Sequence, residues 1–340
     1  MGSRGGLWCG HVGIVEANVV TGPAAVGHTD GAFHEAAVYS DDDEFLAIVV
    51  PFLIDGLESG APTFSVFDSG RQQLLRDVVR DDSVRFLDKS DLYARPASTI
   101  ASYRSMLREL VDGGVSDVRV VGDLPHAQVI DGWDKWARYE AALNEVFNDF
   151  PLWVLCSYDT RITADSVIAE VQATHPYIAG VDGRHYVNEA FIDPYVFLRE
   201  RAGRPIPAEP GTPDLDMFDP LPSDARRVLR RSIESSLHLP DGVDDLVLAV
   251  SEIVTNAIVH GRRPVRLQAW ISDTGCVVRV TDQGHGPTDP LAGLTQKTTA
   301  IGSGGKGLWI AQQICAEVDL LRDSDGFTVR IESPLSAVPA

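Results

Sequence analysis

The chain has 340 residues, enough for about two domains of ordinary size. Its composition, 44% hydrophobic and 23% charged residues, is that of a globular protein and excludes wholesale disorder. A formal net charge of −20 repels phosphate backbones and anionic lipid, so direct binding of nucleic acid or of a membrane surface is not expected.

No sign of export or membrane insertion is visible in the sequence. The longest apolar run, Phe45–Ile54, is interrupted by Pro51 and is far shorter than the roughly 20 residues of a spanning helix. No apolar signal segment opens the chain. The four cysteines lie far apart without a CxxC pair, which argues against a disulfide framework or a zinc knuckle. We therefore expect a cytoplasmic protein.

The first half of the chain is predicted to alternate strands with helices. Residues 1–30 show little periodicity and are predicted to be a flexible extension. In the segment 31–196, strands are predicted at 36–39, 63–67, 85–87, 118–121 and 152–156, with helices at 43–59, 70–80, 98–112, 133–148 and 163–174. This alternation favours right-handed crossovers and a mainly parallel sheet, so we expect one α/β sandwich domain.

A second domain is predicted after a proline-rich linker at 197–221. Six of the twenty prolines fall between Arg199 and Pro222. In the segment 222–335, helices are predicted at 225–237, 241–260 and 306–317, with two hairpins at 265–281 and 318–331. We expect these helices to pack on one face of a mixed sheet, in an α+β sandwich.

Three elements of this second domain suit one nucleotide. Glu252 and Asn256 stand four residues apart, on one face of a helix. The run Asp282-Gln283-Gly284-His285-Gly286 follows a strand, where a carboxylate can accept from an amine and glycines let a flat base approach. The run 302–308 opens a helix with free backbone N–H groups for phosphates; its glycines and lysine are Gly302, Gly304, Gly305, Lys306 and Gly307.

Taken singly, such elements are weak signals, because acid–amide pairs are common on solvated helices and glycine runs are common in turns and hinges. The lysine of the third run is followed by Gly307, so the run is not a Walker A motif. The order and spacing of all three elements are far more specific.

With these three elements as its N, G1 and G2 boxes, the segment 222–335 resembles the GHKL ATPase superfamily. The run from Asn256 to Gly261 and the short lid, residues 287–301, make it most similar to the anti-sigma-factor serine kinases, the RsbW-like branch. This resemblance implies ATP and Mg²⁺ as cofactors, Glu252 as the general base, Asn256 as the residue that holds Mg²⁺, and Asp282 as the adenine-binding residue. It also implies that the glycines and Lys306 line the phosphates. Dimerisation through this domain is frequent in that branch, so a homodimer is an open alternative.

The same resemblance suggests protein partners. In that branch the first helix helps to grip a sigma factor, and here the helix carries a basic stripe that includes Arg226, Arg227 and Arg230. A merely solvated helix face explains the stripe equally well. A histidine kinase is a further alternative, but no phospho-accepting histidine on a dimerising hairpin precedes the domain; His238 stands at the end of a helix.

The segment 31–196 resembles the MEDS sensory domain, a RecA-like module. The residues that carry this resemblance are the runs 34–39, 45–60, 138–144, 155–159 and 174–176. The domain order is similar to that of RsbA-type regulators. No P-loop follows the first strand, so nucleotide binding in this half is not expected. Here His34, Glu140, Cys156 and His175 are candidates for a metal or small-molecule sensory pocket, with buried structural roles as the alternative.

These observations predict an anti-sigma regulatory protein. It would bind ATP-Mg²⁺, phosphorylate a serine or threonine of an anti-anti-sigma (STAS) partner and sequester a sigma factor. An unidentified small-molecule signal would act through the first domain. The alternative is a regulator in which ATP orders the protein for partner binding without phosphoryl transfer.

Overall fold

A computed structural model describes residues 19–20, 31–124, 132–201, 208–209, 211–236, 241–296 and 306–335. The flexible extension predicted at 1–30 lies almost entirely outside these residues, as do Gly302, Gly304, Gly305 and His238. Within the described part, no helix combines the length and the apolar character that crossing a membrane requires.

The N-terminal domain is built on one eight-stranded sheet. Its strands are β1 (Val19–Val20), β2 (Phe33–Tyr39), β3 (Thr63–Phe67), β4 (Arg85–Asp88), β5 (Val118–Gly122), β6 (Leu152–Asp159), β7 (Tyr177–Ala179) and β8 (His185–Val187). The spatial order is β1-β8-β7-β2-β6-β5-β3-β4. The six strands from β7 to β4 are parallel, and only β8 runs against them, pairing antiparallel with β7 and with β1 at one edge. The sheet is therefore mainly parallel, as predicted.

Helices cover both faces of this sheet. They are α1 (Asp42–Glu58), α2 (Ser69–Val79), α3 (Lys89–Leu92), α4 (Pro96–Asp112), α5 (Trp133–Val146), α6 (Asp165–Thr174) and α7 (Pro194–Arg201). Helices α1 and α2 bury Phe45 and Leu75 against one face, and α4 to α7 bury residues such as Trp136 against the other. Because side chains alternate along a strand, the even-numbered residues of β2 and β6 face α5 and α6.

The C-terminal domain has a five-stranded sheet with order β12-β13-β11-β10-β9. Its strands are β9 (Leu215–Phe218), β10 (Arg266–Ser272), β11 (Gly275–Asp282), β12 (Glu317–Asp323) and β13 (Gly326–Pro334). All four pairings are antiparallel, so the mixed sheet expected from the sequence is wrong in this detail. Each hairpin makes its own two strands antiparallel, the hairpins pair through β11 and β13, and β9 pairs with β10 at the edge opposite β12.

Three helices pack on one face of this sheet: α8 (Pro222–Ser236), α9 (Val243–Val259) and α10 (Lys306–Ile314). Buried and half-buried residues alternate along the whole of β11, because the helices cover one face of the sheet and leave the other face more exposed. The last helix ends at Ile314, three residues earlier than predicted, because Glu317 already begins β12.

Part of the predicted linker belongs to the second domain. Its residues Leu215–Phe218 form β9, which pairs with β10. Glu209 accepts a 2.7 Å hydrogen bond from Nε of Arg330, and both side chains are nearly buried. With only four residues, the edge strand is too short to be recognised by its pattern, and the prolines around it suggested a spacer instead.

The two domains contact each other through the segment that precedes α10. Leu291 and Leu294 are buried in the hydrophobic core of the N-terminal domain, although they follow β11 in the chain. Nζ of Lys135 on α5 lies 3.0 Å from Oε1 of Glu317. Arg95 donates to the carbonyl oxygen of Gln313 on α10. The C-terminal domain is therefore tied to the helices that carry the N-terminal core.

Candidate functional site

One face of α9 meets the beginning of α10 in the C-terminal domain. Glu252 and Asn256 lie one turn apart on that face and are half-buried. Gly307 packs directly on them: a Cβ atom at this position would lie 2.8 Å from Nδ2 of Asn256 and 3.0 Å from Cβ of Glu252. Only glycine allows this approach. The absence of a side chain at Gly307 therefore lets the start of α10 lie directly against the face of α9 that carries Glu252 and Asn256.

Asp282, the last residue of β11, is buried next to the end of α9. Its Oδ1 atom accepts hydrogen bonds from the backbone N–H groups of Gly284, at 2.7 Å, and Arg262, at 3.1 Å. A Cβ atom on Gly261 would lie 2.4 Å from the same oxygen. The carboxylate is thus fixed by backbone donors through one oxygen, which leaves Oδ2 with acceptor capacity for a ligand.

A cavity of about 330 Å³ lies between these elements. Its walls combine apolar side chains, four polar side chains and glycine backbone; they include Ile253, Val280, Leu308, Phe327 and Val329, then Asn256, His260, Asp282 and Thr295, then Gly261, Gly286 and Gly293. This volume is at the lower end of the range for small-molecule sites, about 300–1,000 Å³. The arrangement is an apolar slot for a flat group with a carboxylate at its end.

A second group of functional side chains lies in the N-terminal domain, between the sheet and helices α5 and α6. It is formed by His34 on β2, Glu140 on α5, Cys156 on β6 and His175 at the end of α6, and we call it the His–Glu–Cys cluster. The exposed fractions of these residues are 2%, 0%, 9% and 0%. Their ligand atoms all lie within 4.8 Å of one another. The parallel pairing of β2 with β6, together with α5 and α6 on the same face of the sheet, therefore brings these four residues to one point. In the sequence they are spread over 142 positions, from His34 to His175.

The carboxylate of Glu140 is the centre of the His–Glu–Cys cluster. Its Oε2 atom lies 3.1 Å from Nε2 of His34, 3.3 Å from Nε2 of His175 and 3.6 Å from Sγ of Cys156. Its Oε1 atom accepts a 3.0 Å hydrogen bond from the hydroxyl of Tyr158. Burial alone would raise the pKa of Glu140, but the two imidazoles outweigh it and lower the pKa to about 2. The carboxylate is therefore ionised at neutral pH.

Both imidazoles are oriented through their Nδ1 atoms. Nδ1 of His175 lies 2.7 Å from the carbonyl oxygen of Val171, which can only accept, so this nitrogen carries a proton. Nδ1 of His34 lies 3.1 Å from Oδ1 of Asn144. The amide of Asn144 donates through Nδ2 to the carbonyl of Thr174, which fixes Oδ1 as the acceptor. In each ring Nε2 is consequently the atom that faces Glu140.

A wider cavity of about 720 Å³ lies on the opposite face of the sheet. Glu35 is fully buried at its wall and accepts hydrogen bonds from Nε1 of Trp153, at 2.6 Å, and from Nδ1 of His185, at 2.7 Å. These donors already satisfy both oxygens of the carboxylate. The sheet separates this cavity from the His–Glu–Cys cluster, because Phe33 points to one side of β2 and His34 to the other.

Comparison with known families identifies both halves of the chain. Residues 33–176 match the family described as MEDS, the methanogen/methylotroph, DcmR sensory domain. Residues 221–332 match the family described as the histidine kinase-like ATPase domain. The chain is a MEDS domain followed by a histidine kinase-like ATPase domain. The fold and the two resemblances predicted from the sequence are thereby confirmed.

A curated relative supports the first of these assignments. The chain is 26% identical over 163 residues to the protein named transcriptional repressor DcmR of Methylorubrum extorquens. The match covers 44% of the present chain and 61% of that repressor.

Several predicted residues of the ATPase domain meet at its cavity. Asn256, Asp282 and Gly286 line it, Gly284 donates to Asp282, and Gly307 packs behind Asn256. Lys306 is exposed at the start of α10, and Glu252 lies on the same helix face without forming part of the cavity wall. The remaining glycines of the third motif are outside the described residues, so their role in holding phosphates stays a prediction.

The described residues of the ATPase domain fit a purine nucleotide. Gly286 has a positive φ of 63°, and a Cβ atom there would lie 2.3 Å from the ring of Phe327, so a side chain would close the slot. Asn256 offers an amide oxygen of the type that Mg²⁺ accepts as a ligand. A histidine kinase-like ATPase domain implies ATP binding, and these residues would hold it.

The roles of three residues were missed by sequence reasoning. Gly261 was noted only as the end of the run that begins at Asn256, although it also provides the space for the carboxylate of Asp282. Leu291 and Leu294 were assigned to a lid without a partner, although they are buried in the MEDS domain core. Two leucines in a polar loop after a glycine motif were the available signal.

The basic stripe of α8 is engaged within the domain. Arg230 pairs with Asp244 and Glu234, Arg227 pairs with Asp224, and Nη1 of Arg226 donates to Oγ of Ser251 at 3.2 Å. These side chains remain at least partly exposed. The stripe is therefore partly neutralised, and its role as a sigma-factor contact remains a prediction.

Proposed function

We propose that this protein is a cytoplasmic anti-sigma regulator whose ATPase domain phosphorylates a serine or threonine of a STAS-type partner. The domain sequesters a sigma factor and releases it when the STAS partner competes for the domain, and phosphorylation inactivates that partner. A signal received by the MEDS domain shifts the balance. The observation that carries the proposal is the convergence of Asn256, Asp282 and Gly307 around one cavity in a histidine kinase-like ATPase domain.

The residues of the ATPase domain have distinct tasks in this proposal. Bound ATP-Mg²⁺ supplies the phosphoryl group. Asp282 accepts from the exocyclic amine of adenine through its free oxygen, and Asn256 holds Mg²⁺. Glu252, one turn away on the same helix face, accepts the proton of the partner's hydroxyl group. Its half-buried position leaves it accessible to a side chain that enters from the partner.

The lid offers a physical route from the MEDS domain to the nucleotide. Ala292, Gly293 and Thr295 line the nucleotide cavity, whereas their neighbours Leu291 and Leu294 are buried in the MEDS domain core. A rearrangement of that core therefore moves the wall of the cavity. This coupling accounts for control of the ATPase domain by the sensory domain. The relative named a transcriptional repressor shares the MEDS domain and is consistent with a regulatory role.

A phosphotransfer assay tests the proposal. The full chain is incubated with Mg²⁺ and γ-labelled ATP together with each STAS-domain protein of its own genome in turn. We expect one STAS protein to acquire acid-stable label on a serine or threonine. Glu252→Gln should abolish the label but leave binding of a fluorescent ATP analogue intact, and Asn256→Ala should weaken that binding at least about tenfold, about 1.4 kcal/mol.

The outcomes separate the alternatives. Acid-labile, base-stable label would indicate phosphohistidine and contradict the serine/threonine assignment. Binding of ATP without any label, together with an ATP-dependent complex between the chain and a sigma factor, would indicate the regulator that binds without transfer. Absence of saturable ATP binding by the wild-type chain would overturn the kinase altogether.

A further inference from the structure

The His–Glu–Cys cluster has the composition and spacing of a metal-binding site. Two imidazole nitrogens, one carboxylate oxygen and one thiol sulfur face a common point in the interior of the MEDS domain. Imidazole and thiolate ligands are typical of zinc and iron, whereas Mg²⁺ and Ca²⁺ prefer oxygen ligands. We infer that His34, Glu140, Cys156 and His175 bind one divalent transition-metal ion, zinc or ferrous iron.

The distances between the ligand atoms match tetrahedral coordination. Bond lengths of about 2.0–2.1 Å to nitrogen or oxygen and about 2.3 Å to sulfur place tetrahedral ligands about 3.3 Å apart, or about 3.5 Å apart when one is sulfur. The two nitrogen–oxygen distances at Glu140 are 3.1 and 3.3 Å. The distances from Sγ of Cys156 to Nε2 of His34 and Oε2 of Glu140 are 3.5 and 3.6 Å. Four of the six edges of a tetrahedron are therefore already in place.

Each ligand is held by a second group that suits a metal site. Both imidazoles donate from Nδ1 to oxygen acceptors, the arrangement that presents Nε2 to a metal. Tyr158 donates to the Glu140 oxygen that does not face the cluster. Among the described residues, Nε2 of His175 has no hydrogen-bond partner of normal geometry, although the ring is fully buried. A buried nitrogen that makes no well-formed hydrogen bond lowers the stability of the fold. A metal ion bound to this nitrogen would remove that cost.

Charge also favours a dication. The carboxylate of Glu140 is fully buried, and a negative charge in the protein interior is unfavourable unless it is paired. A divalent ion, the carboxylate of Glu140 and the thiolate of Cys156 together carry no net charge. Binding forms four metal–ligand bonds and releases the Cys156 thiol proton to solvent.

Titration of the full chain with Co²⁺ tests the site. The protein is freed of metal by a chelator under reducing conditions, and Co²⁺ is then added without ATP. We expect one equivalent to bind with a thiolate-to-cobalt charge-transfer band and the intense visible bands of tetrahedral cobalt. Zn²⁺ should displace the cobalt, and anaerobic competition between Zn²⁺ and Fe²⁺ then identifies the preferred ion.

Matched cysteine variants assign the band to its ligand. Cys276→Ser replaces another buried free thiol, in the ATPase domain, and should leave the titration unchanged. Cys156→Ser should abolish the charge-transfer band and weaken binding at least about tenfold. Asn144→Leu, which removes only the support of His34, should keep the band but weaken binding about 10–100-fold. A circular dichroism spectrum and retained binding of an ATP analogue show that each variant is folded.

The result that would overturn the assignment is equally clear. A folded wild-type chain that binds no Co²⁺ or Zn²⁺, or a band that survives in Cys156→Ser and disappears in Cys276→Ser, would exclude the site. Because the titration contains no nucleotide, its failure leaves the proposed kinase activity untouched. Conversely, a chain that fails to transfer phosphate but binds one cobalt ion retains the metal site.

Discussion

The two candidate sites of this protein are built in opposite ways. In the ATPase domain, glycines leave space: Gly261, Gly286 and Gly307 each stand where a Cβ atom would collide with a neighbour. In the MEDS domain, four side chains fill the space, and their donor atoms are already in contact. The first site is thus sensitive to an added carbon atom, and the second to a lost polar atom. Substitutions that act oppositely at the two sites test this comparison.

The largest effect is expected for Glu140→Leu. The substitution leaves two imidazoles and the Tyr158 hydroxyl buried without the carboxylate that pairs with them. Removing one partner of such a buried group typically lowers the free energy of unfolding by about 3–5 kcal/mol. Urea-induced unfolding in the presence of a chelator measures the loss without a contribution from metal. The control Glu109→Leu, exposed on α4, should change stability by no more than about 0.5 kcal/mol. Equal stability of the two variants would contradict the role of Glu140.

A smaller effect is expected for Gly261→Ala in the ATPase domain. The new Cβ atom would lie 2.4 Å from Oδ1 of Asp282 and 2.6 Å from the carbonyl oxygen of Ala257. Overpacking of this kind costs about 1–3 kcal/mol, and the carboxylate must move to relieve it. We expect the affinity for an ATP analogue to fall about 5–150-fold.

The matched control for this substitution is Gly70→Ala. At this position a Cβ atom would approach nothing closer than 3.4 Å, so alanine is tolerated. An ATP affinity of Gly261→Ala equal to that of Gly70→Ala would show that the position of Asp282 does not govern nucleotide binding.

The same contrast explains what the sequence could predict. Strands such as Thr63–Phe67 are apolar and bounded by turn residues, so their limits follow from local pattern alone. The ATPase motifs are also local, since Glu252 and Asn256 share a helix face by spacing. The four residues of the His–Glu–Cys cluster could be proposed as candidates for one pocket, but their contacts could not be derived from the sequence, because they meet only through the pairing of β2 with β6 and the packing of α5 on both.

Long-range contacts were predicted least well. The strand β9 was interpreted as linker because its pairing with β10 is invisible in its own residues. The attachment of the lid to the MEDS domain depends likewise on Leu291 and Leu294 finding a core that lies more than a hundred residues earlier in the chain. Periodicity reports which face of an element is buried, but not what buries it.

The connection between the two sites is tested by Leu294→Ala. This side chain is 5% exposed and anchors the lid in the MEDS domain core, while the lid forms one wall of the nucleotide cavity. Truncation loosens the lid, and nucleotide binding must then order it again. We expect the affinity for an ATP analogue to fall about three- to tenfold, about 1 kcal/mol. Leu248→Ala, on the exposed side of α9, is the control and should leave affinity unchanged. An unaltered affinity of Leu294→Ala would separate the lid from the sensory domain.

The smallest effect is expected for the ion pair between Lys135 and Glu317. It joins α5, which also carries Glu140, to the start of β12, but both side chains are more than one third exposed. Solvent-exposed pairs are screened and contribute about 0.2–1 kcal/mol. A double-mutant cycle of Lys135→Ala and Glu317→Ala on the free energy of unfolding should therefore give a coupling energy in this range, lower in high salt. A coupling energy well above it would mean that polar contacts, rather than the buried leucines of the lid, hold the two domains together.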